Sequence, residues 1–365
     1  MPRLLVTGGA GFIGANFVHY WVSAHPGDRL VVLDALTYAG NLANLEPVKD
    51  EPALRFVRGS IGDTALVERL LREEGIDTIV HFAAESHVDR SIHGPDVFIE
   101  TNVQGTHSML KAARKVWLEE RTVPRHRFHH VSTDEVYGSL GPNDPSFHEA
   151  TAYAPNSPYS ASKAASDHLV RAYHHTYGLQ ATTSNCSNNY GPFQFPEKLI
   201  PLMIVNLLHA RALPIYGDGR NIRDWLHVSD HCRGIDLILE QGRPGEVYNI
   251  GGGAESENVR LVQTLCTLVD ELFGTQPELA ARFPQSPAAR GGRSAALIQF
   301  VADRPGHDRR YAIDSRKIER ELGYRAQVSL ESGLRDTLGW YVQNEWWWRA
   351  VMDGSYQRWI ETHYR

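Results

Sequence analysis

The sequence predicts an α/β protein in which a doubly wound parallel sheet is joined to a smaller second domain. Three observations support this fold class. Short apolar segments with strand character alternate with segments of helical period through the first half of the 365 residues. A glycine-rich turn follows the first apolar segment, and the second half is less regular and punctuated by proline. Such alternation favours parallel strands joined by right-handed helical crossovers.

The predicted elements of the first half follow one another in a regular order. Strands are predicted at residues 3–8, 30–34, 54–57, 78–84, 128–133 and 181–185, and helices at 15–24, 64–74 and 97–117. Ligands of such sheets bind beyond the carboxyl ends of the strands, where Gly8, Asp34 and the turns at 84–86 and 133–135 fall. We therefore expect these residues to converge in space.

The turn after the first strand has the spacing of a dinucleotide-binding site. Glycines at 8, 11 and 14 allow a tight turn, the approach of a pyrophosphate to the next helix, and close packing of that helix on the strand. Asp34 ends the second strand 20 residues after Gly14, where a carboxylate can accept hydrogen bonds from both ribose hydroxyls. A 2′-phosphate would meet this negative charge, so the pattern predicts a Rossmann-type fold that binds NAD rather than NADP.

The second half predicts a smaller substrate-binding domain that is interleaved in sequence with the first. Prolines divide residues 192–214 into short elements. Residues 226–230, a helical stretch at 233–240 and the apolar segment 247–252 are expected to return to the main sheet. We therefore predict a dinucleotide-binding domain from residues 1–185 plus 222–250, and a substrate domain from residues 186–221 plus 251–365.

Composition and charge exclude several functional classes. The net charge is −6 and no Lys/Arg block occurs, so nucleic acid is not an expected partner. The longest apolar stretch, 199–208, is interrupted by Pro201 and Asn206, so no membrane span is expected. The chain opens directly into a strand without a signal-peptide pattern, and its three cysteines lie far apart, which favours a cytoplasmic setting. The histidine pairs lack ligand spacing, and no metal is expected.

Five side chains that can handle protons lie within 31 residues. Thr133, Asp134 and Glu135 end a predicted strand, and Tyr159 and Lys163 share one face of a predicted helix. Lowering a phenol pKa from about 10 to about 7 takes about 4 kcal/mol, which a close cation in a poorly hydrated cleft can supply. Taken alone, such a Tyr–Lys pair is more often a surface feature, and an acid pair is more often a charged loop edge.

Several segments together resemble a known family. Thr7–Gly14 with Tyr159 and Lys163 resembles the extended short-chain dehydrogenase/reductase superfamily, whose members act on nucleotide sugars. Thr-Asp-Glu before Val-Tyr-Gly138 resembles, within it, the dTDP-glucose 4,6-dehydratase family, because epimerase and decarboxylase relatives usually lack the adjacent acids. Further matching segments are 34–41, 83–91, 132–138, 185–192, 195–201, 222–225 and 303–314, so the likeness covers nearly the whole chain.

The resemblance implies NAD-dependent dehydration of dTDP-glucose to dTDP-4-keto-6-deoxyglucose in deoxysugar biosynthesis, such as that of rhamnose. Oxidation at C4 comes first, since it makes the C5 proton an acidic α-proton. By resemblance, Tyr159 would take the 4-hydroxyl proton with help from Lys163 and Thr133. Glu135 would remove the C5 proton, and Asp134 would protonate the departing 6-hydroxyl. Adjacent strand residues face opposite ways, so both acids can reach one sugar only if the backbone leaves strand geometry by residue 134.

The resemblance also implies residues that bind the cofactor and the nucleotide sugar. NAD would contact Gly8, Gly11, Phe12, Ile13, Gly14, Asp34, Ala35, Leu36, Thr37, Ser60, Ile61, Phe82, Ala83, Ala84, Thr101, Tyr159, Lys163 and Asn189. The nucleotide-diphosphate sugar would contact Ser86, Thr133, Asn188, Glu197, Lys198, Leu199, Pro214, Tyr216, Arg223, Asn258, Asp303, Arg304 and His307. Family members usually have an acid before Ile or Leu at the position of Ser60, and Asp63 is a candidate to replace it.

The resemblance also implies a homodimer, and two alternative functions remain open. Relatives are homodimers through paired helices, which here would be residues 97–116 and 157–174. An NAD-dependent nucleotide-sugar 4-epimerase or decarboxylase would share Tyr159 and Lys163 but would not need Asp134 as an acid. A non-catalytic dinucleotide-binding scaffold would be expected to have lost a proton-transfer group, and none is missing.

Overall fold

The structure is a computed structural model that describes residues 2–303 and 306–352. Most of the strands in this part of the chain pair in parallel. The strands are β1 (Arg3–Thr7), β2 (Arg29–Asp34), β3 (Leu54–Arg58), β4 (Thr78–His81), β5 (Arg127–Thr133), β6 (Ala181–Cys186), β7 (Asn188–Tyr190), β8 (Leu213–Tyr216), β9 (Ile222–His227), β10 (Val247–Ile250), β11 (Glu255–Glu257) and β12 (Ile298–Val301). Seven of them form one sheet in the order β10-β6-β5-β4-β1-β2-β3, and every neighbouring pair in it is parallel.

Helices connect these strands and cover both faces of the main sheet. They are α1 (Phe12–Ala24), α2 (Thr64–Glu73), α3 (Val88–His93), α4 (Asp96–Phe98), α5 (Thr106–Ala113), α6 (Pro158–Tyr177), α7 (Leu199–Leu208), α8 (Val228–Gln241), α9 (Asn258–Thr275), α10 (Leu279–Arg282), α11 (Arg316–Leu322), α12 (Leu330–Gln343) and α13 (Glu345–Val351). Segments 99–105 and 114–119 are π-helical, and 42–48, 134–137, 288–290 and 294–297 are 3₁₀-helical. Within the described residues, none of the helices has the length and apolar character needed to cross a bilayer.

The two faces of the main sheet bury alternate residues of the same strands. On β1, Leu4 and Val6 pack in a core that includes α1, α8 and α11, whereas Leu5 packs in a second core that includes α2, α5 and α6. Successive strand side chains point to opposite faces, so a strand covered on both sides reads as a continuous apolar run. The predicted doubly wound, Rossmann-type fold is confirmed.

The strand order reverses at β1, which has β2 on one side and β4 on the other. Ligands of open parallel sheets bind at such a reversal, beyond the carboxyl ends of the strands. The predicted strand at 78–84 ends earlier than expected, at His81. Beyond it, the amide of Ala83 donates to Thr7 Oγ1 at 3.3 Å, a side-chain acceptor in place of a strand partner. The loop after β4 therefore leaves the sheet at the reversal point.

The second half builds two small sheets and a separate apolar core. β9 pairs in parallel with β7 and antiparallel with β11, and β8 pairs with β12. Residues 226–227, expected in the main sheet, therefore belong to a small sheet, whereas 247–250 join β6 as expected. The core of this half is formed by helices α7, α9 and α12 with Trp347 and Trp348. The proposed domain boundaries stay a prediction.

Asn102 fixes the loop after β4 to the neighbouring helices. It lies in the π-helical segment and is 1% exposed. Its Oδ1 accepts from the Glu85 amide at 2.8 Å, and its Nδ2 donates to Glu85 O at 2.9 Å and to Ser162 Oγ at 2.8 Å. One buried side chain thus satisfies both backbone groups of Glu85 and reaches α6.

Replacing Asn102 should measurably destabilise the fold. Asn102→Ala leaves the buried backbone groups of Glu85 without partners, so we expect the free energy of unfolding to fall by about 2 to 3 kcal/mol. Urea denaturation followed by circular dichroism measures the loss. The control is Asn344→Ala, which removes a single side-chain bond to Trp340 O and should cost less than about 1 kcal/mol. Equal losses in the two variants would contradict the proposed clamp.

Candidate active site

A cavity of about 650 Å³ lies at the carboxyl edge of the main sheet, where the strand order reverses. Its wall combines the glycine turn, the end of β2, the loop after β4, the end of β5, the start of α6 and the segment 186–198. Parts of the chain that are far apart in sequence thus meet at one place. The expected convergence of Gly8, Asp34, 84–86 and 133–135 is confirmed, since members of each group line this cavity.

The glycine turn has no room for side chains. Gly8 has a φ of +68°, and a Cβ added there would lie 2.7 Å from the Ala83 backbone nitrogen. A Cβ on Gly14 would lie 2.3 Å from Gly8 O. The bare backbone and the amides at the start of α1 therefore form the wall, which is the arrangement that accepts a pyrophosphate. The residues present fit a dinucleotide cofactor.

Asp34 closes the turn from the end of β2. Its Oδ2 accepts from the Ala10 amide at 2.9 Å, and its Oδ1 accepts from the Leu36 amide at 2.8 Å. Burial raises the pKa of this carboxyl, and the two amides oppose the rise. Leu36 has a φ of +55°, and its side chain packs on the core instead of lining the cavity. Asp34 thus holds the turn and also borders the cavity.

The far end of the chain supports the same turn. Asn44 Nδ2 donates to Ala10 O at 2.8 Å, and Trp347 Nε1 of α13 donates to Asn44 Oδ1 at 2.7 Å. Asn44 is 1% exposed and Trp347 is also 1% exposed. Neither residue belongs to a motif, so the sequence carries no signal for this bridge.

The remaining predicted cofactor residues form the wall around the turn. Those lining the cavity are Gly11, Phe12, Ile13, Ala35, Thr37, Ser60, Ile61, Phe82, Ala83, Ala84, Thr101 and Asn189. Ser60 is exposed, and its Oγ accepts from the Gly62 amide at 3.1 Å. Asp63 caps α2 by accepting from the Leu66 amide at 3.0 Å. Its carboxylate is therefore engaged at the helix start, which weakens it as a substitute for the acid that Ser60 replaces.

The backbone leaves strand geometry directly after Thr133, as the acid pair requires. Thr133 is extended, with φ −140° and ψ 151°, and a 3₁₀ turn runs from Asp134 to Tyr137. The Glu135 amide donates to Thr133 Oγ1 at 3.3 Å and fixes the start of the turn. Glu135 lines the cavity, whereas Asp134 is 1% exposed and lies behind the wall. The two adjacent acids therefore occupy different environments.

Asp134 is buried in a setting that favours its protonated form. Burial raises the pKa of this carboxyl well above its usual range, with further increases from Glu135 and Asp224 and an opposing effect of Arg223. Its Oδ1 accepts from Thr133 Oγ1 at 3.4 Å, and its buried Oδ2 has no hydrogen-bond partner within the described residues. A neutral carboxylic acid with a spare oxygen is suited to donate a proton.

Tyr159 and Lys163 lie on the first two turns of α6 and both line the cavity. Lys163 is 4% exposed, and its Nζ donates to Val131 O at 2.9 Å. Burial raises the pKa of Tyr159 well above 10, and Glu135 adds to the rise. This is the opposite of the expected direction, because burial outweighs a cation whose ammonium is turned toward a backbone carbonyl. Burial also lowers the pKa of Lys163.

Five predicted substrate residues border the same cavity: Ser86, Thr133, Asn188, Glu197 and Lys198. Lys198 Nζ donates to Ser86 O at 2.9 Å, and Glu197 accepts from Arg90 Nε at 3.1 Å. The Arg90 guanidinium lies 4.0 Å from the ring centre of Tyr38, which also lines the cavity. Tyr38 and Arg90 were not predicted as site residues, although both lie in segments that match the family.

Other predicted substrate residues lie outside the cavity wall: Leu199, Pro214, Tyr216, Arg223, Asn258, Asp303 and His307. Tyr216, Asp303 and His307 form one group, in which His307 Nδ1 is 2.6 Å from Asp303 Oδ1 and the His307 ring packs against Tyr216. Arg223 stacks on Tyr311 at 4.3 Å. Arg304 lies outside the described residues.

One group among the described residues has the spacing of metal ligands, and it does not border the cavity. It consists of His25, Asp236 and Glu240, between α1 and α8. Asp236 Oδ2 accepts from Tyr20 OH at 2.6 Å, and its Oδ1 lies 3.0 Å from His25 Nε2. These contacts account for the carboxylate without an ion.

Comparisons with known proteins agree on one family. A family model described as GDP-mannose 4,6 dehydratase matches residues 5–337. A dTDP-glucose 4,6-dehydratase of Xanthomonas campestris pv. campestris is 54% identical over 359 residues, which are 98% of each chain. The crystal structure of a dTDP-glucose 4,6-dehydratase from Streptomyces venezuelae, solved with NAD bound, has a TM-score of 0.85 and 51% identity, over 96% of this chain and 99% of that one.

Epimerases are more distant. The UDP-glucose 4-epimerase of Thermotoga maritima has a TM-score of 0.79 at 26% identity, over 94% of this chain and 99% of that one. Fold similarity therefore extends across both enzyme classes, whereas high sequence identity is found with the dehydratases.

Removing the charge of Asp34 should weaken NAD binding. An asparagine at this position offers one acceptor oxygen for two backbone amides, so we expect Asp34→Asn to raise the Kd for NAD about 10-fold. Isothermal titration calorimetry measures the change. Asp63→Asn is the matched control, because asparagine is an equally good helix cap. An equal loss of NAD affinity in Asp63→Asn would instead indicate that Asp63 binds the adenine.

Proposed function

We infer that this chain, which belongs to the dTDP-glucose 4,6-dehydratase family, is an NAD-dependent hydro-lyase that converts dTDP-glucose to dTDP-4-keto-6-deoxyglucose. The observation that carries this function is the separation of the two adjacent acids. Asp134 is buried in an environment that raises its pKa, and Glu135 borders the cavity. An elimination needs both an acid and a base, and an epimerisation does not need the acid.

Oxidation of C4 is assigned to the groups around Tyr159. The phenolate form would accept the 4-hydroxyl proton, and Thr133 would hydrogen-bond the same oxygen. Bound NAD supplies a hydride acceptor for C4 and afterwards a hydride donor for C6. Because burial raises the pKa of Tyr159, the Lys163 ammonium is needed close to the phenol for this proton transfer.

Elimination is assigned to the acid pair. Glu135 would take the C5 proton, which the 4-ketone makes acidic, and Asp134 would give its proton to the 6-hydroxyl, which leaves as water. Hydride then adds to C6 and a proton returns to C5, so the sugar loses one water and the cofactor is unchanged overall. The spare Oδ2 of Asp134 is the atom that we assign to this proton transfer.

The binding roles of the remaining residues are part of the same proposal. The glycine turn and Asp34 would hold the pyrophosphate and ribose of NAD, as their geometry favours. Ser86 would touch the sugar, and Glu197 would help at the catalytic edge. The remaining predicted substrate residues would surround the phosphates and the nucleoside: Asn188, Lys198, Leu199, Pro214, Tyr216, Arg223, Asn258, Asp303, Arg304 and His307.

We also propose a homodimer in the cytoplasm. The side chains of Val97 and Ile99, on one of the two helical segments expected to pair, are 41% and 44% exposed. A partner helix would cover these apolar surfaces. The three buried, unpaired cysteines support a reducing setting. Light scattering of Ile99→Glu, compared with the unaltered protein, tests the dimer.

The product of the purified protein tests the function directly. Incubation with dTDP-glucose and NAD should give a nucleotide sugar that has lost one water, with no net NADH, because hydride leaves C4 and returns to C6. Mass spectrometry and absorbance at 340 nm make the measurement. A product of unchanged mass would favour epimerisation. In a parallel incubation with a nucleotide-diphosphate uronic acid, loss of carbon dioxide would favour a decarboxylase.

Asp134→Asn should separate elimination from oxidation. The amide has nearly the shape of the protonated acid but cannot release a proton, so we expect turnover to fall by about 10² to 10³. NADH absorbance should build up transiently in stopped-flow measurements. Equal loss of both half-reactions would count against Asp134 as the acid.

Glu135→Gln is the companion variant that separates the two acids. In deuterated water, Asp134→Asn should still exchange the C5 proton of the oxidised intermediate, because its base is intact. Glu135→Gln should accumulate NADH without exchange at C5. The opposite pattern, measured by mass spectrometry of the recovered sugar, would reverse the two assignments.

A further inference from the structure

The helix face that carries Tyr159 and Lys163 continues to a third ionisable residue, Asp167. The three residues are spaced by four along α6, so their side chains follow one another on the same face. Asp167 is 4% exposed, like Lys163. All three side chains are buried, yet the proposed dehydration assigns no proton transfer to Asp167.

The Asp167 carboxylate is fixed but only partly satisfied. Its Oδ2 accepts from Ser132 Oγ at 2.9 Å and from Tyr153 OH at 3.0 Å. Its Oδ1 lies 3.1 Å from His130 Nε2 but accepts no hydrogen bond within the described residues. A buried carboxylate oxygen without a donor is costly, so a nearby positive charge is needed to explain why the site tolerates it.

His130 does not supply that charge. Burial lowers the pKa of His130 well below 6.5, and Lys163 lowers it further, so the imidazole is neutral. Burial raises the pKa of Asp167 to about 6, and the largest opposing influence is Lys163. In the other direction, Asp167 makes the largest contribution that keeps the buried Lys163 protonated. Lys163 and Asp167, one helical turn apart on the same face of α6, thus favour each other's charged form without a direct salt bridge between them.

We propose that Asp167 is a positioning residue of the reaction, whose carboxylate keeps the buried Lys163 ammonium charged and in place beside Tyr159. It would touch neither substrate nor cofactor and would act through Lys163 alone. This inference rests on the proposed function for its catalytic consequence, but the ionic coupling itself does not. The Val131 carbonyl accepts a hydrogen bond from the Lys163 ammonium and so orients it. The Asp167 carboxylate would keep this ammonium protonated.

Other titratable groups surround the pair from every packed element. They are His81 on β4, His130 on β5, Cys186 on β6, His168 and Tyr159 on α6, and Tyr137, Glu149 and Tyr153 around the loop before α6. The histidines on β4 and β5 are neutral, since burial lowers the pKa of both. Burial also raises the pKa of Cys186 above its usual range, so the thiol stays neutral.

Lysine titration by NMR tests the coupling without any need for activity. The chain has only six lysines, at 49, 111, 115, 163, 198 and 317, so a sample labelled at lysine ¹³Cε gives a simple spectrum. The Lys163 signal is assigned by its disappearance in Lys163→Arg. In Asp167→Asn we expect the titration midpoint of Lys163 to move to lower pH by about one pH unit or more.

Asp236→Asn is the matched control for this substitution. Asp236 is also a buried acid, and like Asp167 it accepts from a tyrosine hydroxyl and lies beside a histidine. It is on α8, and its neighbours are Tyr20 and His25. The same chemical change should leave the Lys163 midpoint where it is.

The kinetic consequence appears on the alkaline side of the pH profile. If Lys163 loses its proton at lower pH, the alkaline limb of single-turnover NADH formation should move down by the same interval as the NMR midpoint. A purely structural role of Asp167 would lower the melting temperature and leave both measurements unmoved. The pair Asp167→Glu and Asp167→Gln repeats the comparison at equal size, should the asparagine variant fold poorly.

Three outcomes separate the inference from the proposed function. A shifted Lys163 midpoint with a shifted alkaline limb supports the inference. An unmoved midpoint in both Asp167→Asn and Asp167→Gln overturns it, even if dehydration proceeds as proposed. A shifted midpoint in a protein that does not dehydrate dTDP-glucose would support the coupling and reject the proposed function.

Discussion

The active-site geometry depends on the point at which β5 stops being a strand. Had the extended backbone continued past Thr133, Asp134 and Glu135 would project to opposite faces of a buried sheet. The 3₁₀ turn at 134–137 instead sends one acid into the interior and leaves the other at the cavity. The turn is held locally, by the Thr133 side chain and the Glu135 amide. Thr133 therefore ends the strand and caps the turn that separates the two acids.

Burial then shifts the pKa values of the ionisable side chains in this site. It raises the pKa of Asp134 and Tyr159 and lowers that of Lys163, because a poorly hydrated interior disfavours every charged form. Charges persist in such a place only where another charge or several donors support them. The Lys163–Asp167 pair is consistent with this rule, and the neutral acid at 134 is the complementary case. The same desolvation that keeps Asp134 protonated makes ionisation of the Tyr159 phenol difficult, so the proposed proton transfer to Tyr159 depends on the Lys163 ammonium.

Sequence alone predicted the parts of this site that local rules control. The glycine turn, the end of β2 and the Tyr–Lys spacing follow from backbone sterics and helix periodicity, and each lies where it was expected. Long-range packing decided the rest. Residues 226–227 belong to a small sheet because β9 pairs with β7 and β11. The sequence of β9 itself does not indicate these partners. Likewise, the pKa of Asp134 is influenced by Arg223 and Asp224, about 90 residues later, and the positive φ of Leu36 turns its side chain to the core.

The bridge from Trp347 through Asn44 to Ala10 joins parts of the chain that lie more than 300 residues apart in sequence. During synthesis, the tryptophan that completes the support of the glycine turn is added more than three hundred residues after the turn itself. Until then, the turn lacks one part of its hydrogen-bond support. Protein truncated before α13 would keep every motif named above and lack the indole that completes this support.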